Sequence, residues 1–245
     1  IKMGLKNFLN GLFMGLAEII PGISGGTVAL ILGIYERLIH AINSFDIVFI
    51  NHLKKSEFSQ AWKKVDGSFI STLLIGMLFS IYFLSSLILL LLETFPIAFK
   101  SFLSFLLFFS VFLDPIRPRI SKEFFAGLFL SFLICLMLYL FPVGSFEEVR
   151  LSYIFLSGLI AISALVIPGI SGSFILLLMG TYQSILLAVK NIDLLILCVF
   201  LLGAIIGLFS IAKLIKMAFE QKRELLMSIF FGLILFCIPL IWMND

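Results

Sequence analysis

The sequence contains one hexapeptide twice, IPGISG at residues 20–25 and again at residues 167–172. In each copy the proline removes a backbone donor and the glycines add flexibility, so a helix that reaches the motif ends there. A new helix can start directly after it, with Ser24 or Ser171 as its N-cap. Its first amides lack intrahelical partners and lie at its positive end, where a phosphate or carboxylate can bind. The alternative is that each motif is only a tight turn between two membrane spans.

The residues predicted to bind a phosphate are the small and hydroxyl-bearing positions of the two motifs. They are Gly22, Ser24, Gly25, Gly26, Thr27, Gly169, Ser171, Gly172 and Ser173. Unpaired backbone donors at membrane depth are tolerated only where protein buries them or where they line a wet cavity. Pairs of broken helices in inverted repeats form the substrate sites of many secondary transporters. The two motifs therefore favour a transport site for an anion.

Glu18 lies three residues before the first proline in an apolar run, and Leu165 occupies the equivalent position in the second copy. Ionisable groups inside a bilayer are usually functional. We expect Glu18 to bind a coupling proton or a sodium ion, and the alternative is a structural hydrogen bond to nearby backbone. The sequence predicts no other cofactor, no metal site and no catalytic residue.

Three further positions are candidates at the edges of the site. Arg37 follows Pro21 by 16 residues, which is about 24 Å of helix and too far for contact with a phosphate at the motif. Arg37 is therefore expected at the cytoplasmic mouth, where it could bind a head group or simply extend to the interface. Tyr35 is also expected at the cytoplasmic mouth, and Tyr182 is its equivalent in the second copy; each could hydrogen-bond the substrate or pack.

The elements that position these residues must lie in a membrane. Of the 245 residues, 62% are hydrophobic and 13% are charged, against about a quarter charged in globular proteins, which excludes a water-soluble domain. We predict an all-α integral membrane protein, one membrane domain over residues 1–245. Its nine apolar segments are 5–20, 23–42, 68–92, 97–113, 123–141, 151–167, 172–190, 194–217 and 225–243.

The two copies of the motif belong to longer similar stretches, because residues 18–46 superpose without a gap on residues 165–193. The offset of 147 changes to 127 further on, where Gly76–Ser80 matches Gly203–Gly207 as a helix-packing face of small residues. Five segments, an odd number, separate the start of one repeat unit from the start of the other, so the second unit enters the membrane from the opposite side. The sequence therefore predicts an inverted repeat of 4+1+4 helical segments, with two broken or re-entrant hairpins that meet near the middle of the membrane.

The predicted boundaries are repeat 1 over residues 5–113, a linking helix over residues 123–141 and repeat 2 over residues 151–243. If the N-terminus is cytoplasmic and each segment reverses direction, 14 of the 17 Lys and Arg residues are cytoplasmic. Lys100, Arg150 and Lys190 remain outside, which agrees with the positive-inside rule. The C-terminus is then outside. The polar segment 43–66, with Trp62 and its lysines, is expected at the cytoplasmic interface.

The stretches EIIPGISGGT (18–27), ILGIYERLI (31–39) and IPGISGSFILLLMGTY (167–182) resemble bacterial polyprenyl-phosphate transporters of the PopT type, once catalogued as a domain of unknown function. The resemblance covers nearly the whole chain and extends in design to DedA-type lipid-phosphate transporters. It implies a flippase of the cytoplasmic membrane that moves undecaprenyl phosphate from the outer to the inner leaflet. The lipid carrier of cell-wall synthesis, including peptidoglycan, would thereby be reused.

Two other readings of the same residues stay open. The two motifs could bind an inorganic anion or organic acid instead of a lipid head group, which would make the chain a small-anion transporter. A membrane lipid phosphatase is less well supported, because no His or Asp is placed among several basic residues. The basic residues are too scattered for a nucleic-acid partner, so the expected partners are the lipid substrate and the bilayer, and a homo-oligomer is left open.

Overall fold

The computed structural model of the chain describes residues 2–20, 23–112, 116–140 and 150–242. Within those ranges every regular element is a helix, so the predicted all-α class is confirmed. The elements are α1 (Lys2–Ile19), α2 (Gly25–Ile31), α3 (Tyr35–Asn43), α4 (Ile47–Lys54), α5 (Phe58–Lys64), α6 (Gly67–Thr94), α7 (Pro96–Ser110), α8 (Lys122–Leu140), α9 (Leu151–Val166), α10 (Gly172–Leu178), α11 (Tyr182–Asn191), α12 (Leu194–Gln221), α13 (Arg223–Cys237) and a final 3₁₀ helix (Ile238–Trp242).

Several of these helices suit a membrane by length and composition. Among the described residues, Gly67–Ile88, Lys122–Leu140 and Leu194–Gln221 are long and apolar enough to cross a bilayer. The α2–α3 pair and the α10–α11 pair are each bent, by 119° and 110°, and counting each pair as one span gives up to five spans. Over the described residues, each of the nine predicted segments corresponds to a helix or to one of these bent pairs, and the last segment also includes the 3₁₀ helix.

Each bent pair contains a break that the sequence does not predict. The sequence predicts single segments over residues 23–42 and 172–190, but each of them divides into two short helices. Gly33 and Gly180 stand at the two divisions with φ angles of 69° and 66°, a left-handed conformation that glycine adopts without steric cost. The two glycines are 147 residues apart, so each copy has one break at its IPGISG motif and another at this glycine.

The same helix contact recurs in both halves of the chain. A Cβ atom added to Gly11 in α1 would lie 2.0 Å from the Leu73 carbonyl oxygen in α6, and one added to Gly158 in α9 would lie 2.2 Å from the Phe200 carbonyl oxygen in α12. Small residues allow helices to approach this closely. The two contacts are related by offsets of 147 and 127, as are the sequence matches. That the copies are inverted in the membrane stays a prediction.

Helices α1 and α6 run in the same direction, and this fixes the path of the chain between them. In α1, Gly11 meets Leu73 and Gly15 meets Met77, so contacts advance together along both helices and α1 runs parallel to α6. The chain between them must therefore return to the side on which α1 starts. The bent pair α2–α3 and the short helices α4 and α5 supply that return, which places the IPGISG break at the turning point.

Helices α4 and α5 form a hairpin within the polar segment 43–66, where the sequence predicts an interfacial segment. The Asp46 carboxylate caps α4 by accepting a hydrogen bond from the Phe49 amide at 3.0 Å. Lys64 of α5 lies 2.9 Å from the same carboxylate and lowers the pKa of Asp46. This pair joins the two ends of the hairpin, which we call the α4–α5 hairpin.

Candidate functional site

The first IPGISG break positions a carboxylate at the start of α2. Ser24 is the N-cap, as the sequence predicts, and its hydroxyl accepts a hydrogen bond from the Gly26 amide at 3.1 Å. Glu18 reaches across the break, and its Oε1 accepts from the Gly25 amide at 2.6 Å. The first two amides of α2 are thus already hydrogen-bonded, because the side chains of Glu18 and Ser24 accept from them. Gly22 lies outside the described residues.

The second break has the same outline and different partners. Ser171 is the N-cap residue of α10, but its side chain makes no capping hydrogen bond. Its hydroxyl lies 2.9 Å from the Ser173 hydroxyl, and either oxygen can be the donor. Gly172 packs against α9, where an added Cβ would lie 2.7 Å from the Ala161 carbonyl oxygen. Leu165 stands where the first copy has Glu18, so no equivalent carboxylate reaches this break.

The two breaks meet, because hydroxyl groups of the first half bind the end of α9. The Ser24 hydroxyl donates to the Leu165 carbonyl oxygen at 2.8 Å. The buried Tyr35 hydroxyl donates to the Val166 carbonyl oxygen at 3.0 Å. The last carbonyl groups of a helix have no intrahelical partner, so these two bonds satisfy backbone acceptors that the second break leaves open.

A third bond satisfies a backbone donor on the other side of the second break. The Gly169 amide donates to the Thr27 Oγ1 at 2.8 Å in a buried contact. Gly26 lies close enough to α9 that an added Cβ would be 2.6 Å from the Val166 carbonyl oxygen. Ser24, Gly26 and Thr27 therefore hold the two halves together at their breaks.

A cavity of about 490 Å³ opens beside this junction. It lies between the α1–α6 pair and the α9–α12 pair, and α3 forms a further wall. Glu18, Gly25, Gly26 and Tyr35 are the predicted site residues that line it. Glu18 is the one charged residue among the described lining residues, and the rest of the wall is almost wholly apolar. The cavity is thus an apolar space that reaches the bonded Glu18 carboxyl group and Gly25 amide at the first break.

Arg37 lies away from the cavity, in two contacts at the start of α6. Its Nε lies 2.6 Å from an Asp66 carboxylate oxygen, and its guanidinium lies over the Phe69 ring at 4.2 Å from the centroid. The neighbouring Glu36 pairs with Arg223 at the start of α13 at 2.5 Å. These ion pairs tie α3 to both halves of the chain.

Comparison with known proteins decides the family. The family model described as undecaprenyl phosphate translocase-like matches residues 14–245. The chain belongs to this family. It is also 37% identical over 242 residues to a polyprenyl-phosphate transporter of Vibrio cholerae serotype O1, an alignment that covers 97% of this chain and 77% of that protein. The two names denote transporters and not enzymes. No solved structure matches the chain.

The two copies of the family's motif have unequal surroundings. Tyr35 is 2% exposed, whereas its equivalent Tyr182 is 37% exposed. One turn further on, Ile39 is 1% exposed and its equivalent Leu186 is 56% exposed. The first bent pair is therefore inserted between the halves, with Asn43 donating to the Ala212 carbonyl oxygen at 2.8 Å, while α11 lies at the periphery.

The structure thus brings some predicted site residues together and separates others. Glu18, Gly25, Gly26 and Tyr35 share the cavity, with Ser24, Thr27 and Gly169 at the junction behind it. Ser171, Gly172 and Ser173 stand beyond the junction, and Arg37 and Tyr182 lie outside the cavity. Sequence reasoning missed Glu36, Asp66 and Arg223, since an ion pair between distant helices has no local signal in the sequence.

The equivalence of Tyr35 and Tyr182 provides a matched test of the junction. Replacing Tyr35 by Phe leaves the Val166 carbonyl buried without its donor, so we expect a loss of stability of about 1–3 kcal/mol. Tyr182→Phe changes a partly exposed hydroxyl and should cost much less. The measurement is the midpoint of unfolding of the purified protein in detergent. Equal midpoints for the two variants would contradict a structural role for the Tyr35 bond.

Proposed function

We propose that the protein moves polyprenyl phosphate, undecaprenyl phosphate in particular, across the bacterial cytoplasmic membrane. The observation that carries this proposal is the cavity at the junction of the two breaks, which has apolar walls and reaches the Glu18 carboxyl group and the Gly25 amide. A lipid phosphate has the same two parts. Membership of the translocase-like family and the name of the Vibrio cholerae relative support this substrate. Transport from the outer to the inner leaflet would return the lipid carrier to cell-wall synthesis.

The phosphate head group binds at the breaks in this proposal. The Gly25 amide already donates a hydrogen bond to a carboxyl oxygen, Glu18 Oε1, at 2.6 Å, and a phosphate oxygen can accept the same bond. Ser24, Gly26 and Thr27 complete the first break, and Gly22, outside the described residues, stays a predicted phosphate-binding residue. Gly169, Gly172 and the paired hydroxyls of Ser171 and Ser173 contribute from the second break when the halves change their relative position.

Glu18 couples transport to an ion, because two anions cannot share one amide. A proton or a sodium ion on the Glu18 carboxylate weakens its bond to the Gly25 amide and frees that donor for the phosphate. Release of the phosphate lets the carboxylate return after it has lost its cation. The exchange makes the affinity for the head group depend on whether Glu18 carries its proton or sodium ion.

Alternating access follows from the unequal state of two similar halves. In transporters with inverted repeats, one half can adopt the conformation that the other half has left. Tyr182 would then take the buried position that Tyr35 now occupies, while Tyr35 and α3 move outward. Arg37 would exchange Asp66 for the departing phosphate at the cytoplasmic mouth, where a guanidinium binds phosphate by paired hydrogen bonds. The N-terminus is cytoplasmic and the C-terminus is outside in this arrangement.

A leaflet-exchange assay tests the proposal. Purified protein is reconstituted in liposomes that carry polyprenyl phosphate, and an enzyme added outside reports how much of the lipid phosphate reaches the outer leaflet with time. We expect exchange to be faster than in protein-free liposomes. Movement of inorganic phosphate in the same liposomes without any lipid exchange would overturn the proposal in favour of a small-anion transporter.

The role of Glu18 is tested by Glu18→Gln, which keeps the size of the side chain and removes its charge. We expect the rate of leaflet exchange to lose its dependence on pH or on sodium, because the amide side chain no longer exchanges a cation. Glu220→Gln, on the exposed side of α12, serves as the control and should retain the dependence. An unchanged pH and sodium profile in Glu18→Gln would exclude the coupling role and leave Glu18 as a structural cap.

A further inference from the structure

A second apolar space adjoins the central cavity on the side of the α4–α5 hairpin. This crevice has a volume of about 400 Å³ and lies between the hairpin and the first turns of α6. Trp62 forms its outer edge and packs on the start of α6, where a Cβ added to Gly67 would lie 2.3 Å from the indole ring. Its lining is almost wholly apolar.

The crevice and the central cavity have three lining residues in common. Phe45, Ile70 and Leu74 belong to both. The cavity begins at Glu18 and Gly25, and these shared residues mark the end at which it adjoins the crevice. The two spaces are therefore adjacent, and together they extend from the first break to the underside of the α4–α5 hairpin. We call the two spaces together the tail path.

The outer end of the tail path is suited to a lipid surface. Ile47 and Phe58 of the hairpin are 74% and 66% exposed, and the lysines at 54, 55, 63 and 64 stand at the ends of the same two helices. Short helices with exposed apolar side chains and neighbouring lysines lie in the membrane interface and attract anionic head groups. The path therefore leads toward lipid and not toward bulk water.

We propose that the tail path holds the first isoprene units of the transported lipid while its phosphate lies at the breaks. This inference rests on the proposed function and names the part of the site that takes the hydrocarbon. Contact with apolar walls costs an isoprene unit no free energy relative to contact with lipid. Contact with polar walls would cost free energy for each isoprene unit, so an apolar lining is what the tail requires. Each space also falls within the roughly 300–1,000 Å³ typical of ligand pockets.

Bulky substitutions in the path test the inference. Leu74→Trp and Ile205→Trp add volume to the lining from opposite walls. Leu78→Trp and Leu201→Trp add the same kind of side chain one turn away, at residues of similar exposure that do not line either space. We expect the two lining variants to slow leaflet exchange of polyprenyl phosphate by about tenfold, the scale that steric overpacking sets. The two controls should exchange lipid at the wild-type rate. Size-exclusion chromatography in detergent checks that all four variants are folded.

A photocrosslinking measurement tests the same contact without blocking it. A benzophenone amino acid is placed at Phe45, inside the path, or at Phe125, which is exposed on α8. The liposomes contain a trace of polyprenyl phosphate among the bulk lipids. Benzophenone at Phe45 should crosslink polyprenyl phosphate in clear excess over its fraction of the total lipid, whereas benzophenone at Phe125 should crosslink each lipid in proportion to its abundance.

The outcomes separate the two proposals. If the wild-type protein does not move polyprenyl phosphate, the proposed function fails. If the wild-type protein moves it, but the lining variants match their controls and both benzophenone positions capture bulk lipid alone, the tail path is wrong and the proposed function stands. Slowed exchange in the lining variants, with selective capture at Phe45, supports both.

Discussion

The structure depends on one constraint: the backbone N–H and C=O groups that lose their helical partners at the two breaks must find other hydrogen-bond partners. A break inside an apolar environment leaves donors and acceptors that water does not reach, and each must find a partner in the protein. At the first break Glu18 and Ser24 supply those partners. At the second break they come from the other half, through Ser24, Thr27 and Tyr35. The two halves are therefore joined by hydrogen bonds at the breaks, and these are the bonds that would have to break for the proposed phosphate site to open.

That constraint also explains why the two halves differ. The first half has Glu18 and Thr27 where the second has Leu165 and Phe174, and in the described residues the side chains that bond across the two breaks are Ser24, Thr27 and Tyr35 of the first half. Its α3 lies between the halves, where Tyr35 is buried. Two ion pairs of α3, through Glu36 and Arg37, hold this position. Movement of α3 away from this position, as the proposed transport cycle requires, would break both ion pairs.

Much of the arrangement was predictable from the sequence, because its strongest signals are local. The duplicated IPGISG motif located both breaks, and Ser24 was recognisable as an N-cap. The offset of 127 at Gly76 and Gly203 predicted a packing face that recurs in the structure. The sequence could not tell whether Tyr35 or Tyr182 would be buried, since the motifs around them are nearly the same. That difference, like the pairing of Arg37 with Asp66, depends on helices far apart in the chain.

The most direct test of the account measures the distance between the substrate and the first break. Protein labelled with ¹⁵N at glycine and ¹³C at glutamate is reconstituted with polyprenyl phosphate, and solid-state NMR detects dipolar coupling from ³¹P to the Gly25 amide. The account predicts coupling consistent with a hydrogen bond, about 2.7–3.2 Å from nitrogen to oxygen, together with loss of the contact between Glu18 and Gly25. Bound lipid phosphate that shows no coupling to Gly25, with the Glu18 contact intact, would contradict it.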